Sequence, residues 1–172
     1  MALWERVKKA WISFGPSEEE SKETKKKLNH QDTKTPRSQD KEPTMQPIPP
    51  EADTIARQIV DAAFTVHKTL GPGLLEGVYE VCLAHELKKR GLSVAQQQIL
   101  PVVYDNIRLD AGLRLDMLVK EQVIIELKAV ERLLPVHKAQ VLTYLKLTDH
   151  RLGLLINFNV PLIKDGIDRI AL

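Results

Sequence analysis

The chain lacks the features that usually mark a secreted or membrane-spanning protein. Its 172 residues contain one cysteine, Cys82, so no disulfide can form within the chain and we expect a reducing compartment such as the cytoplasm. No apolar run is long enough to span a membrane, and no signal-peptide core is evident. Because the sequence also has no C-x-x-C pair, it does not favour a zinc site.

An excess of positive charge is also missing from most of the chain. Residues 51–172 carry fifteen Lys or Arg and fifteen Asp or Glu, whereas residues 1–50 carry ten and eight. Proteins that hold long nucleic acids by neutralising phosphates usually show a basic surplus, so a local basic patch is the remaining option. The composition, 43% hydrophobic and 28% charged, suits one globular domain with a tail.

An amphipathic helix is predicted at residues 1–14. Apolar side chains recur there at helical spacing, with charged residues largely between them: Leu3, Trp4, Val7, Trp11 and Phe14. The helix either docks on a membrane surface or a partner, or folds back onto its own domain. Its mixed Lys and Glu and its short length favour a protein partner or self-association over a membrane. Residues 15–50 hold charge runs, several prolines and almost no large apolar residue, which predicts a disordered linker.

Two acids and a lysine are placed together by a predicted β-hairpin. The run Val123–Lys128 reads as a buried strand, and side-chain alternation puts Glu126 and Lys128 on the same face. Asp116 lies in the preceding strand, beyond the polar turn at residues 120–122. Charges are seldom left near a core unless they are paired or bind a ligand. The hairpin therefore predicts that Asp116 and Glu126 come within reach of one divalent cation.

This D-x9-E-x-K spacing resembles the PD-(D/E)XK nuclease superfamily. Residues 73–79, GLLEGVY, also match the signature of the GxxExxY family, and residues 140–144, QVLTY, resemble the Q-h-x-x-Y helix motif of the RecB-type exonuclease branch. The resemblance covers residues 51–172. It implies an α/β fold with a PD-(D/E)XK restriction-endonuclease-like core, in which helices flank a mixed β-sheet. Leu115 stands where the superfamily name has proline.

The resemblance also implies a Mg²⁺- or Mn²⁺-dependent nuclease that acts on nucleic acid, with DNA as the expected substrate. Asp116 and Glu126 would hold the cation, with Glu76 and the main-chain carbonyl of Leu127 as further ligands. Lys128 would position water or stabilise the oxyanion that forms at phosphorus. Gln140 and Tyr144 would orient nucleotide or water. The implied catalytic set is therefore Glu76, Asp116, Glu126, Lys128, Gln140 and Tyr144.

Other interpretations remain open. From the residues alone, Glu76 is a first-turn acid favoured by the helix dipole and Tyr79 is a packed ring, whereas the resemblance places Glu76 at the metal with Tyr79 bonded to it. Arg114 shares a face with Asp116 and either contacts phosphate or pairs with that acid. The alternative function is a catalytically weak binding or interaction protein with a nuclease fold.

The remaining pattern predicts the other elements of the domain. Helices are expected at residues 54–70, 76–90 and 135–148, and strands at residues 99–104, 113–119 and 152–157. Residues 107–110 are expected to form a short strand or a turn. Asp53 or Thr54 is expected to cap the first helix. Because a helix separates the last two strands of the core, these strands should be parallel. Residues 165–172 are expected to form a short helix or turn.

Overall fold

The computed structural model describes residues 47–105 and 107–172. The predicted helix at residues 1–14 lies outside the described residues, as does the linker up to residue 46. Within the described ranges, no helix is both long and apolar enough to span a membrane.

The domain begins with two helices, α1 (Pro50–Leu70) and α2 (Glu76–Lys89). Helix α1 starts four residues before the predicted boundary because Pro50 occupies its first turn, where a missing N–H is harmless. The predicted cap is wrong, since neither candidate side chain caps the helix. Thr54 donates to the Pro50 carbonyl at 3.0 Å, and Asp53 pairs with Arg169 at 2.6 Å.

A five-stranded mixed sheet follows, in the spatial order β1-β2-β3-β4-β5. Strands β3 and β4 are parallel, as predicted, and the other neighbours are antiparallel. Helix α3 connects β3 to β4, and its bounds agree with the prediction. The bounds are β1 (Val94–Tyr104), β2 (Ile107–Val119), β3 (Val123–Lys128), α3 (Pro135–Thr148), β4 (Leu152–Asn157) and β5 (Ile167–Ala171).

Strand β2 is one element from Ile107 to Val119, whereas the sequence predicted a strand at residues 113–119 preceded by a separate short strand or turn at residues 107–110. The predicted gap coincides with a register shift between Leu100 and Val102, opposite residues 110–112. Pro101 lies at this shift on the edge strand β1, where its missing N–H is tolerated. Pairing with β1 resumes beyond the irregularity, so the strand continues through it.

The end of the chain also differs from the prediction. Residues Ile163–Gly166 form a short 3₁₀ helix, and Ile167–Ala171 then form β5 rather than a helix or turn. Strand β5 pairs with β4 from Leu152–Ala171 to Ile156–Ile167, so its backbone groups find partners in the sheet. Five residues with Asp and Arg at the centre carry too weak an alternation for this pairing to be read locally.

Core residues cover both faces of the sheet. Ile125 and Leu127 pack with residues of α1 and α2 such as Ile59 and Leu83. Ile124 packs on the other face with residues of α3, including Val141. The protein is therefore an α/β domain with helices on both faces of a mixed sheet, and β3 lies in the middle of it.

Candidate active site

The carboxyl end of β3 carries a buried ion pair. Glu126 is only 1% exposed, and its Oε1 accepts a hydrogen bond from Lys128 Nζ at 2.5 Å. The same ammonium donates to the Leu127 carbonyl oxygen at 2.8 Å. The alternation predicted for the strand thus places both charged side chains on one face, with a main-chain oxygen between them.

Asp116 joins this group where β2 separates from β3. The two strands pair only from Val119–Val123 to Met117–Ile125. One residue further along β2, Asp116 Oδ2 accepts a hydrogen bond from the Leu127 N–H at 2.8 Å. This side chain therefore replaces the backbone acceptor that strand pairing no longer provides. The hairpin therefore brings Asp116, Glu126, Leu127 and Lys128 together, as its spacing predicted.

Burial raises the pKa values of both acids. The pKa of Glu126 is raised to about 7, mainly by desolvation and also by the charge of Asp116, while the Lys128 hydrogen bond opposes both. Desolvation also raises the pKa of Asp116, against the Leu127 N–H and the charge of Lys128. Because two carboxylates share one poorly solvated place, the site favours a positively charged ligand.

Lys128 remains firmly protonated in this setting. Desolvation lowers its pKa, but the hydrogen bond and charge of Glu126 outweigh it, with help from Glu76 and Asp116, so the pKa is raised. Glu76, in the first turn of α2, also raises the pKa of Glu126. The predicted acid of the GLLEGVY motif is thus close enough to act electrostatically on both members of the ion pair.

Tyr79, in contrast, serves the corner between α1 and α2. Its hydroxyl donates to the Gly71 carbonyl at 2.6 Å and accepts the Leu74 N–H at 3.1 Å. Its ring is fully buried and stacks on Phe158 with centroids 4.5 Å apart. The interpretation as a packed ring fits this placement, whereas the expected bond to Glu76 is replaced by the two backbone contacts.

Gln140 and Tyr144 form a hydrogen-bond chain that ends on β2. Gln140 Nε2 donates to the Tyr144 hydroxyl at 2.7 Å, and that hydroxyl donates to the Arg114 carbonyl at 3.1 Å. Desolvation raises the pKa of Tyr144, and the charges of Glu126 and Asp116 add to it. The chain holds the backbone two residues before Asp116, while the Arg114 side chain is exposed and its charge lowers the pKa of Asp116.

Asn157 supports the site from β4 and was not predicted. It is 1% exposed and lies opposite Lys128 in the parallel pair. Its Oδ1 accepts the Val130 N–H at 3.0 Å, and its Nδ2 donates to the Val130 carbonyl at 2.8 Å. These bonds fasten the chain just beyond β3. Its position at the end of a buried strand was the available signal.

Glu80 is the second residue that the sequence interpretation missed. It lies one turn after Glu76 on α2, and its charge raises the pKa of Asp116. Gln96 of β1 donates to Glu80 Oε1 at 3.4 Å. The i, i+4 spacing from Glu76 was the signal that could have identified it.

The group suits a divalent cation with few protein ligands. Within residues 47–105 and 107–172, no three His, Cys, Asp or Glu side chains are arranged to hold a metal ion. Two carboxylates and a carbonyl oxygen remain, and Mg²⁺ typically takes one or two carboxylates and keeps several waters. Glu126 Oε2 is buried and has no hydrogen-bond partner among the described residues, so it is left with an unused acceptor. The residues present therefore fit such an ion.

Comparisons with known proteins agree with this geometry at the level of the family. No curated protein and no solved structure matches the chain. A family model described as the PD-(D/E)XK nuclease superfamily matches residues 53–170, the range that contains the whole group of acids. Since this match covers more than half of the sequence, the chain belongs to the PD-(D/E)XK nuclease superfamily.

Proposed function

We propose that this protein is a Mg²⁺- or Mn²⁺-dependent nuclease that hydrolyses phosphodiester bonds, with DNA as the first substrate to test. The observation that carries the proposal is the buried Glu126, whose Oε2 lacks a partner in the described structure and whose pKa is raised to about 7. An acid in this condition, beside a second acid, is poised for a cation. Membership of the superfamily supports nuclease chemistry for it.

Asp116, Glu126 and the Leu127 carbonyl would hold the cation, and Glu76 is the further ligand to test. A bound cation of this type lowers the pKa of its water and offsets charge that builds on the scissile phosphate. The oxygens already accommodate positive charge, since the Lys128 ammonium contacts two of the three residues.

The chain's own residues supply binding and orientation. Lys128 keeps its proton, so it would donate hydrogen bonds to a phosphate oxygen or to the attacking water rather than act as a general base. Gln140 and Tyr144 would fix Asp116 by holding the Arg114 carbonyl. The exposed Arg114 guanidinium would be available to a phosphate.

The test combines cleavage with metal-dependent stability. Wild type, Glu126→Ala and Lys128→Ala are incubated with single- and double-stranded DNA and RNA in Mg²⁺ or Mn²⁺, and their melting temperatures are measured with and without metal. We expect Glu126→Ala to lose both cleavage and the metal-induced rise in melting temperature, and Lys128→Ala to lose cleavage. Glu51→Ala, an exposed acid of α1, is the control. Cleavage that survives in Glu126→Ala would indicate a contaminant and remove the claim.

A weakly catalytic binding protein is the second candidate, and the balanced charge of residues 51–172 favours it. On this alternative, wild type forms a stable complex with nucleic acid or a protein without cleaving either. Lys128→Ala would leave that complex unchanged. A loss of cleavage with retained binding in Lys128→Ala supports the nuclease instead.

Residues 1–14 are proposed to capture a protein partner or a second copy of the chain. Their apolar stripe is worth a few kcal/mol if it is buried, at ~25 cal/mol per Å². Deletion should stop at residue 46, because Ile48 packs against the core and α1 starts at Pro50. The shortened protein should keep its fold and metal response but change its mass in light scattering or its partner capture. Loss of metal binding would show that the tail belongs to the domain.

A further inference from the structure

Helix α2 turns two acids toward the interior of the domain. Glu76 and Glu80 are one turn apart and continue along the helix as a row with Leu83 and Leu87, both fully buried. Both acids are half-buried. An acid on the inward face of a helix loses hydration, so it needs a partner or a ligand.

Glu80 is held beside Asp116 by the edge strand. Gln96 donates to Glu80 Oε1 at 3.4 Å, and Gln96 lies opposite Met117, the residue that follows Asp116. The charge of Glu80 acts on Asp116 and adds to the effect of burial on its pKa. Glu76 acts instead on Glu126 and Lys128. The two acids of α2 therefore flank the two acids of the hairpin.

Gln97, which follows Gln96 in β1, has an unusual backbone conformation. It lies between the pairs Gln96–Met117 and Gln98–Leu115, which places it opposite Asp116, and its φ is 53°. A left-handed conformation is uncommon for glutamine, and such strain is retained where the surroundings impose it. Gln97 Oε1 is buried and has no hydrogen-bond partner in the described parts of the chain.

The charges of the combined site do not balance in the described residues. The charge of Glu80 acts on Asp116, and the charges of Asp116 and Glu76 act on Glu126. Against these four carboxylates stand the Lys128 ammonium, which contacts Glu126, and the exposed Arg114, whose charge acts on Asp116. Two buried acceptors, Glu126 Oε2 and Gln97 Oε1, have no donor within residues 47–105 and 107–172. A hydrated divalent cation supplies both missing elements, since the ion adds positive charge and its waters donate hydrogen bonds.

We infer that Glu80 is a positioning residue of the active site, which orients water in the hydration shell of the cation held by Asp116 and Glu126. Gln96 holds the Glu80 carboxylate in place, and Gln97 Oε1 accepts from the same shell. The inference rests on the proposed function. It goes beyond it by assigning a role to a residue outside the D-x9-E-x-K and GLLEGVY motifs.

The experiment compares Glu80→Gln with Glu51→Gln, which removes the same charge from an exposed position of α1. Each melting temperature is measured in chelator and then along a Mn²⁺ titration. Because Glu80→Gln relieves repulsion, we expect its melting temperature in chelator to equal or exceed that of wild type. We expect its half-saturating Mn²⁺ concentration to rise about tenfold or more, as for other groups that orient metal ligands. Glu80→Asp keeps the charge on a shorter side chain, so its half-saturating Mn²⁺ concentration should lie between those of wild type and Glu80→Gln.

Each failure has a distinct signature. If wild type shows no response to Mn²⁺ or Mg²⁺, the proposed function fails and the inference fails with it. If wild type and Glu51→Gln respond and Glu80→Gln has the same half-saturation, only the inference is overturned. A Glu80→Gln protein that is less stable in chelator with unchanged half-saturation, or that does not fold, would assign Glu80 to the core and also overturn it.

Discussion

The apolar first half of strand β3, residues 123–125, and the polar residues of its second half, Glu126 and Lys128, follow opposite rules although Glu126 is about as buried as its apolar neighbours. Val123, Ile124 and Ile125 are 0% exposed and pack into the core on both faces of the sheet. Glu126 is 1% exposed, yet one of its oxygens has no hydrogen-bond partner in the described structure. The first half gains free energy from burial, whereas the second half loses hydration that the folded chain restores only in part.

This contrast separates the residues that make the fold from those that make the site. Strand β3 would be more stable with an apolar residue in place of Glu126, because burial of the carboxylate opposes its ionisation. The site can carry that cost because the neighbouring elements are well packed. Substitutions at Ile125 and at Glu126 should therefore change stability in opposite directions at neutral pH.

The largest effect is expected in the first half. Ile125→Ala should lower the free energy of unfolding by about 2–5 kcal/mol, because it removes a fully buried side chain and leaves a cavity between β3 and the helices α1 and α2. Denaturant unfolding followed by circular dichroism measures it. Val136→Ala, at a side chain that is 61% exposed, should change the value by about 0.5 kcal/mol or less. A similar loss in both variants would contradict the contrast.

The second half should show its cost in the pH dependence of stability. The pKa of Glu126 is raised from 4.5 to about 7, so the folded protein binds a proton more tightly than the unfolded chain does. This contribution is fully present below pH 4.5 and is lost as the pH rises through about 7. The loss amounts to roughly 3 kcal/mol, at about 1.36 kcal/mol for each pKa unit.

Unfolding in chelator between pH 4.5 and 8 tests this sign. Glu126→Gln cannot ionise, so its profile should be flatter than that of wild type and should exceed it above pH 7. Glu51→Gln serves as the control and should retain the slope of wild type. Stability that increases with pH in wild type, or parallel profiles in wild type and Glu126→Gln, would show that Glu126 is not held in its neutral form.

The sequence predicts most of what is local in this fold. Residues 123–128 and 135–148 have the expected bounds because their apolar runs end at clear turn or proline signals. The approach of Asp116 to the Leu127 backbone follows from a short hairpin and strand alternation. By contrast, β5 depends on pairing with β4, and five residues do not reveal that partner.

The missed site residues share the same cause. Glu80 reaches Asp116 only because α2 packs on the sheet, and 36 positions separate the two residues along the chain. Asn157 bonds to Val130, 27 positions away. The family resemblance implies a bond between Tyr79 and Glu76, yet the Tyr79 hydroxyl donates to the Gly71 carbonyl between α1 and α2. Periodicity gives the face of a side chain, while its partner is set by tertiary contacts.

A polar residue that supports the second half should behave differently from Glu126. Asn157→Ala removes an amide that bonds both the N–H and the carbonyl of Val130, so two partly buried backbone groups lose their partners. We expect a loss of about 1–3 kcal/mol in the free energy of unfolding. Asn159→Ala, whose side chain takes no part in these bonds, is the matched control. Equal stability of the two variants would show that water replaces the amide and that the loop after β3 needs no such support.

The smallest effect sharpens the comparison through two buried tyrosines. Tyr79 and Tyr144 are 0% and 2% exposed, and each hydroxyl donates to a backbone carbonyl, of Gly71 and of Arg114. Replacement by Phe should lower stability by about 1 kcal/mol in both cases, because one partly buried carbonyl loses its hydrogen-bond donor. Of these two carbonyls, only that of Arg114 lies next to the acids of the candidate site, two residues before Asp116. Tyr144→Phe should therefore reduce metal-dependent cleavage about 3- to 10-fold, whereas Tyr79→Phe should leave it near wild type when both are assayed well below their melting temperatures.

Equal losses of activity would indicate that the assay reports stability, and an unchanged Tyr144→Phe would show that Asp116 keeps its position without the hydrogen-bond chain from α3.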